Sequence, residues 1–218
     1  MQRKVFATMI LLLAAATLLA APQSFAKGKA MAVPLTPKSA ELRLALRDLW
    51  VGHIFWVRNV VLATKSGDTA LAKVEEEQVV HNAREIANAI VPYYGKEAGD
   101  KLFTLLAGHY GAVKDCMNAT FTGNKEAMNT GVEKMKKNAD EIATFLSTAN
   151  PHWPKGAILA ALAAHAGFHM QQIDAINTKD FASEAKVWEA MKDQVYEIAD
   201  TLADGIVKQF PHKFTGTV

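Results

Sequence analysis

Along most of the chain, apolar residues recur at intervals of three and four, the period of a helix that buries one face. After Ser39, a candidate N-cap, the stripe reads Leu46, Leu49, His53, Trp56, Val60, Ala63. Gly67 ends that helix and Asp68 can cap a second, whose stripe is Val79, Asn82, Ile86, Ala89 and which stops near Pro92. A third carries Leu102, Leu105, His109, Ala112, Cys116, Ala119, and Gly123-Asn124 turns it into a fourth with Met135, Asn138, Ile142, Phe145. Asn150-Pro151 breaks that pattern. Beyond Pro154 a fifth stripe reads Ile158, Ala161, His165, Phe168, Gln172, Ala175; Asp180 then caps a sixth with Met191, Gln194, Ile198, Leu202, which Pro211 ends. The fold class expected is all-α: a six-helix bundle made of three tandem helical hairpins.

The stripes share a register. At a constant offset of 56 residues the chain aligns Ala63/Ala119/Ala175, Asp68/Asn124/Asp180, Asn82/Asn138/Gln194, Glu85/Glu141/Glu197, Ile86/Ile142/Ile198 and Ala87/Ala143/Ala199. Single coincidences among common helix formers mean little. A register held across helix, turn and second helix is the mark of an internal repeat, and duplication of one hairpin is its simplest source.

Three histidines, His53, His109 and His165, share that offset. In a hairpin, residues equidistant from the turn lie level. His53 with Asn82, His109 with Asn138 and His165 with Gln194 are each centred on a turn, so each imidazole is expected level with a carboxamide. If the hairpins close around one axis, three imidazoles and three carboxamides form a layer. Two readings follow. In one, neutral imidazole and amide satisfy each other's donors and acceptors, and the layer fixes helix register inside a non-metal binding or interaction module. In the other, three neutral imidazoles hold zinc, copper, nickel or iron, and Asn82, Asn138 and Gln194 orient the rings from behind. The metal reading leads. His169, one turn after His165, is a candidate further ligand, and Met170, Met117, Cys116 and His81 could supply other donors. A haem with stripe histidines as axial ligands stays open, although the covalent attachment motif is absent.

Glu85, Glu141 and Glu197 lie on the flank of the stripe. They read first as salt-bridge partners, to Arg58 or Lys114 across a hairpin, and second as carboxylates added to the histidine site. The chain has no His-Glu-x-x-His helix, no Glu-x-x-His di-iron pair, no Cys-x-x-Cys and no glycine-rich phosphate loop. No nucleophile stands out, so the chain reads more as a binder than as an enzyme, with a metal-dependent hydrolase as a third reading.

Charge and export signals narrow the setting. Gln2-Arg3-Lys4 precedes the uncharged stretch from Val5 to Ala21, and Ser24-Phe25-Ala26 offers small residues for cleavage, so residues 1–26 read first as a secretory signal peptide and second as an uncleaved membrane anchor. The expected organisation is then a linker over 27–40, the bundle over 41–212 and a loose tail over 213–218. Cleavage lowers the formal charge from +2 to zero, because it removes Arg3, Lys4 and no acid. That balance gives no electrostatic basis for binding nucleic acid. A periplasmic or secreted protein is expected, with no stable membrane insertion once the signal is removed. The single cysteine, Cys116, leaves stability to packing.

Three segments together resemble a bacterial family of small all-helical proteins, exported or cytoplasmic. They are Leu49-Trp50-x-x-His53-x-x-Trp56-x-Arg58, Pro92-Tyr93-Tyr94-Gly95, and Asn138-Ala139-Asp140-Glu141-Ile142-Ala143-x-Phe145-Leu146-Ser147-x-x-Asn150-Pro151-x-Trp153. The resemblance spans residues 41–211, includes all three histidines and implies an all-helical fold; it brings no catalytic residue. In architecture alone, a three-histidine bundle is also similar to DinB-like metal-binding proteins.

Overall fold

The computed structural model describes residues 35–215; the signal pattern over 1–26 and most of the expected linker lie outside the described residues. Among the described residues the protein is all-helical, with α1 Pro37–Ser66, α2 Thr69–Tyr94, α3 Lys96–Thr122, α4 Lys125–Ala149, α5 Lys155–Thr178, α6 Phe181–Gln209 and a short 3-10 turn at Pro211–Lys213. None of these helices is long and apolar enough to cross a membrane.

The three hairpin turns are built alike. Each first helix ends in a left-handed residue, Gly67 (φ 80°), Gly123 (φ 67°) or Lys179 (φ 61°). Each second helix starts from a side-chain cap: Asp68 accepts from the Leu71 amide at 2.9 Å, Asn124 from Ala127 at 3.0 Å and Asp180 from Ser183 at 3.0 Å. Glycine takes positive φ without penalty, so Lys179 is the unusual member.

Two helix ends differ from expectation. The N-cap of α1 is Thr36, and Ser39 sits three residues inside as the other half of a capping box: Ser39 Oγ accepts from the Thr36 amide at 2.8 Å. Pro37 explains the shift, since its fixed φ and missing N–H suit the first helical position. Helix α2 runs through Pro92 to Tyr94. A proline in the last turn forfeits one intrahelical bond, and Gly95 (φ 84°) then stops the helix.

Each helix packs on its chain neighbours, and α6 returns to pack on α1. Helix α5 also meets α1 and α3 across the middle. At the α1–α6 seam Arg47 grips Asp200 with two hydrogen bonds of 2.8 and 2.6 Å, and Arg43 pairs with Asp204. Because α1 is covered from several sides, its buried face is wider than the predicted stripe and takes in Trp50, Ile54, Val57 and Val61. Phe55, on the same helix, is 43% exposed.

Two apolar clusters fill the interior. One lies toward the hairpin turns, around Val57, Val60, Val113, Met117, Ile173 and Ile176. The other lies toward the opposite end, around Leu105, Ile142, Leu146, Trp153, Leu162 and Ile206. His53, His109 and His165 fall between them in the sequence of each helix.

The end opposite the hairpin turns is tied by a partly buried polar network. Asn150 donates to the Tyr94 hydroxyl at 2.8 Å, which donates to Gln209 Oε1 at 2.8 Å; Gln209 donates to the Ala149 carbonyl at 3.0 Å. Burial pushes the Tyr94 phenol up to about 12. The Trp153 indole donates to Thr201 O at 3.1 Å and lies against Gly205, where an added Cβ would come within 1.9 Å of the indole nitrogen. The C-terminal segment docks on this network: Phe214 is buried and stacks on Tyr93 at 5.8 Å, so the chain does not come loose at Lys213.

A candidate metal centre of four buried histidines

The closing of the helices brings together four imidazoles: His53 from α1, His109 from α3, and His165 and His169 from α5. All are buried, and one nitrogen from each lies within 4.8 Å of the other three. His169 joins because four residues make about one helical turn, which sets it on the same face as His165. His165 Nε2 and His169 Nε2 are 3.0 Å apart. Trp50 stands edge-on to two of the rings, with centroids 5.9 Å from His53 and 6.0 Å from His165.

The carboxamides are level with the histidines, but their amino groups bond elsewhere. Asn82 donates to Leu49 O at 3.0 Å, Asn138 to Leu105 O at 2.9 Å and Gln194 to Ala161 O at 3.0 Å. In each case the acceptor is the carbonyl one turn before the histidine. Close approach explains the first two: a Cβ on Gly52 or Gly108 would lie 3.1 Å from the Asn82 or Asn138 amide nitrogen. The third hairpin has Ala164 at that position and the longer Gln194 opposite. Only there is the expected imidazole–carboxamide bond formed, between His165 Nδ1 and Gln194 Oε1 at 3.1 Å.

That bond sets the protonation pattern. An amide oxygen accepts, so His165 Nδ1 carries hydrogen and, in the neutral ring, Nε2 is a bare lone pair. His169 Nε2 must then donate to it, leaving His169 Nδ1 as a lone pair without a partner in the protein. His53 Nε2, both nitrogens of His109, and the side-chain oxygens of Asn82 and Asn138 are likewise buried and without partners in the protein. Buried polar atoms are paired in the great majority of cases, so six orphans in one layer need a cause.

Desolvation is the main influence on all four rings. It holds His53 and His169 well below the ordinary 6.5 and takes His109 to about 4 and His165 to about 3. Repulsion from neighbouring imidazoles adds to the lowering at His53, His165 and His169. The Asn138 amide favours charged His109 without closing a hydrogen bond of ordinary geometry. Neutral imidazole is the form that ligates metal.

The donor set can hold an ion. Four atoms within 4.8 Å of one another lie at most about 3 Å from a common centre, so inward movement of roughly 1 Å reaches metal–imidazole bond lengths near 2.1 Å. Among the described residues no thiolate or carboxylate joins the cluster. Cys116 is buried against Gly131 and the exposed His81 ring pairs with Glu85 at 3.4 Å.

No protein-family model, curated protein or solved structure matches the chain.

The flank glutamates do not enter the centre. Glu85, Glu141 and Glu197 are exposed; Glu85 pairs with His81, and Glu141 lies 3.9 Å from Lys137. Their suggested partners are committed to other acids: Arg58 to Glu184 through bonds of 2.6 and 2.9 Å, Lys114 to Glu76. A carboxylate points outward here because water solvates it at no cost, while the inward positions are taken by the stripe.

Glu184, which no sequence motif marks, is 3% exposed and also accepts from Gln172 at 3.1 Å. Its pKa is lowered, first by the Arg58 hydrogen bonds. A small cavity borders the layer, with room for about one water molecule, lined by His53, His109, His165, Trp50, Tyr110 and aliphatic side chains. A haem does not fit in that space.

Proposed function

We propose that this protein is an exported metal-binding bundle whose ion is held by His53, His109 and His165, with His169 beside them, hydrogen-bonded to His165. The observation that carries the reading is the concentration of buried, neutral, largely unpartnered imidazoles within 4.8 Å of one another. A donor set of imidazole alone suits zinc, copper, nickel or iron(II), and not magnesium or calcium. In the bound form Asn82, Asn138 and Gln194 accept from the outer ring nitrogens, the part that Gln194 already has toward His165 at 3.1 Å. The leader pattern at residues 1–26 supports a periplasmic or secreted setting. The amide-to-carbonyl bond, recurring with a separation of 33 residues in each hairpin, supports reading the hairpins as copies of one unit.

The test is element analysis of protein purified from the exported form without a histidine tag. About one ion per chain is expected, and none in His109→Ala. A second reading, a purely structural layer in a non-metal binding module, draws support from the His165–Gln194 and His165–His169 bonds. Under it, His109→Ala alters stability, and neither protein retains metal after dialysis.

A further inference from the structure

The histidine layer borders a cavity on one side. His53, His109 and His165 line that cavity and His169 does not. The remaining wall is aliphatic except for two polar aromatic residues. Tyr110 is committed elsewhere, since its hydroxyl donates to Glu76 at 2.9 Å. Trp50 is not: it is 6% exposed and its buried indole N–H has no acceptor in the protein. A buried donor left without an acceptor is rare and calls for an explanation. An ion with three imidazole ligands keeps a coordination position for an outside molecule. Here such a molecule would meet a space about one water in size, and no cationic side chain lines it.

Resting on the metal reading, we propose that the cavity receives an exogenous ligand of one or two heavy atoms, bound to the ion and accepting a hydrogen bond from Trp50. Water, hydroxide and the diatomics dioxygen and nitric oxide belong to this class. Carboxylates, phosphate and free imidazole exceed the space. The Trp50 N–H selects ligands whose outer atom accepts, and the aliphatic wall disfavours any needing several donors. No bond within the ligand is made or broken in this step; a lone pair of the ligand fills the metal position.

The probe is cobalt(II) loaded anaerobically, whose visible spectrum reports coordination, followed by titration with nitric oxide, acetate or imidazole. One nitric oxide per cobalt is expected, with no response to acetate or imidazole. Trp50→Phe is expected to weaken nitric oxide binding about tenfold with cobalt binding unchanged. Ala83→Val, which fills the cavity wall from α2, is expected to abolish nitric oxide binding and keep cobalt. The proposal is overturned, with the metal reading intact, if loaded cobalt ignores nitric oxide, because His169 then closes the shell. It is equally overturned if acetate binds as readily, or if Ala83→Val binds nitric oxide like the parent. Failure of cobalt, zinc and copper alike to load overturns the metal reading, and this proposal with it.

Discussion

Two buried polar assemblies lie in this bundle, and they are finished to different degrees. At the end opposite the hairpin turns, Tyr94, Asn150, Gln209 and Trp153 hydrogen-bond one another or nearby backbone and leave no buried side-chain atom unpaired. In the middle, the histidine layer leaves six such atoms unpaired. Both adjoin packed apolar side chains, and the histidine layer is the more deeply buried of the two, so its open atoms are the more costly. A network that exists to hold a fold is selected to be complete, because each unpaired buried group costs about 1–3 kcal/mol. An assembly that stays incomplete calls for another explanation, and the proposed ion would supply one for its unpaired imidazole nitrogens.

The contrast can be pressed hardest at Trp153. Trp153→Ala removes a side chain that is 1% exposed and an indole hydrogen bond, and should destabilise the protein by about 3–5 kcal/mol. Metal content per folded chain, measured beside denaturant unfolding, should not change; a loss of metal would show that the two assemblies are one unit.

Acid should act on the layer. A histidine whose pKa is lowered by folding contributes stability that is complete above the unfolded value of 6.5 and is lost as pH falls toward the folded value. For His109, which falls to about 4, the loss across that window is roughly 3 kcal/mol, and the other three rings add to it. Unfolding curves between pH 7 and pH 4 check this, and His109→Ala should flatten the dependence.

Metal should act on the layer alone. Zinc at a hundred times its dissociation constant should stabilise the parent by about 2.7 kcal/mol and leave His109→Ala unmoved in a thermal melt. An equal shift in both would place the ion elsewhere on the protein.

The smallest effect is the most diagnostic, because its sign differs between the assemblies. In metal-free protein His109→Leu removes two unpaired nitrogens and should stabilise by about 1 kcal/mol. Asn150→Leu strands the partners of a satisfied amide and should destabilise by about 1–3 kcal/mol. Matching signs would erase the distinction.

Helices and turns were legible because a three-four stripe, a capping side chain and a left-handed residue are local signals. The histidine layer was legible too, since three residues at one offset on three stripes must come level if the helices close. What was misjudged depends on distance between helices. The side-chain amino groups of Asn82 and Asn138 reach backbone carbonyls instead of rings because Gly52 and Gly108 let α2 and α4 come close, and those glycines were the overlooked signal. Glu184 was hidden for a related reason: its burial is set by Arg58, 126 residues away on another hairpin, and nothing in its own surroundings marks it. Phe214 lay past a terminal proline, where a chain end more often comes free.

The seam between α1 and α6 has a consequence for the order of events. Arg47 finds Asp200 across 153 residues, so α1 is fastened by α6. Pairings so distant in sequence form late, because the chain between them must be ordered first. The layer draws on α1, α3 and α5, and it is enclosed only when α6 arrives. Until then the four imidazoles are open to solvent. On the proposed metal reading, the ion enclosed is then one present where α6 docks.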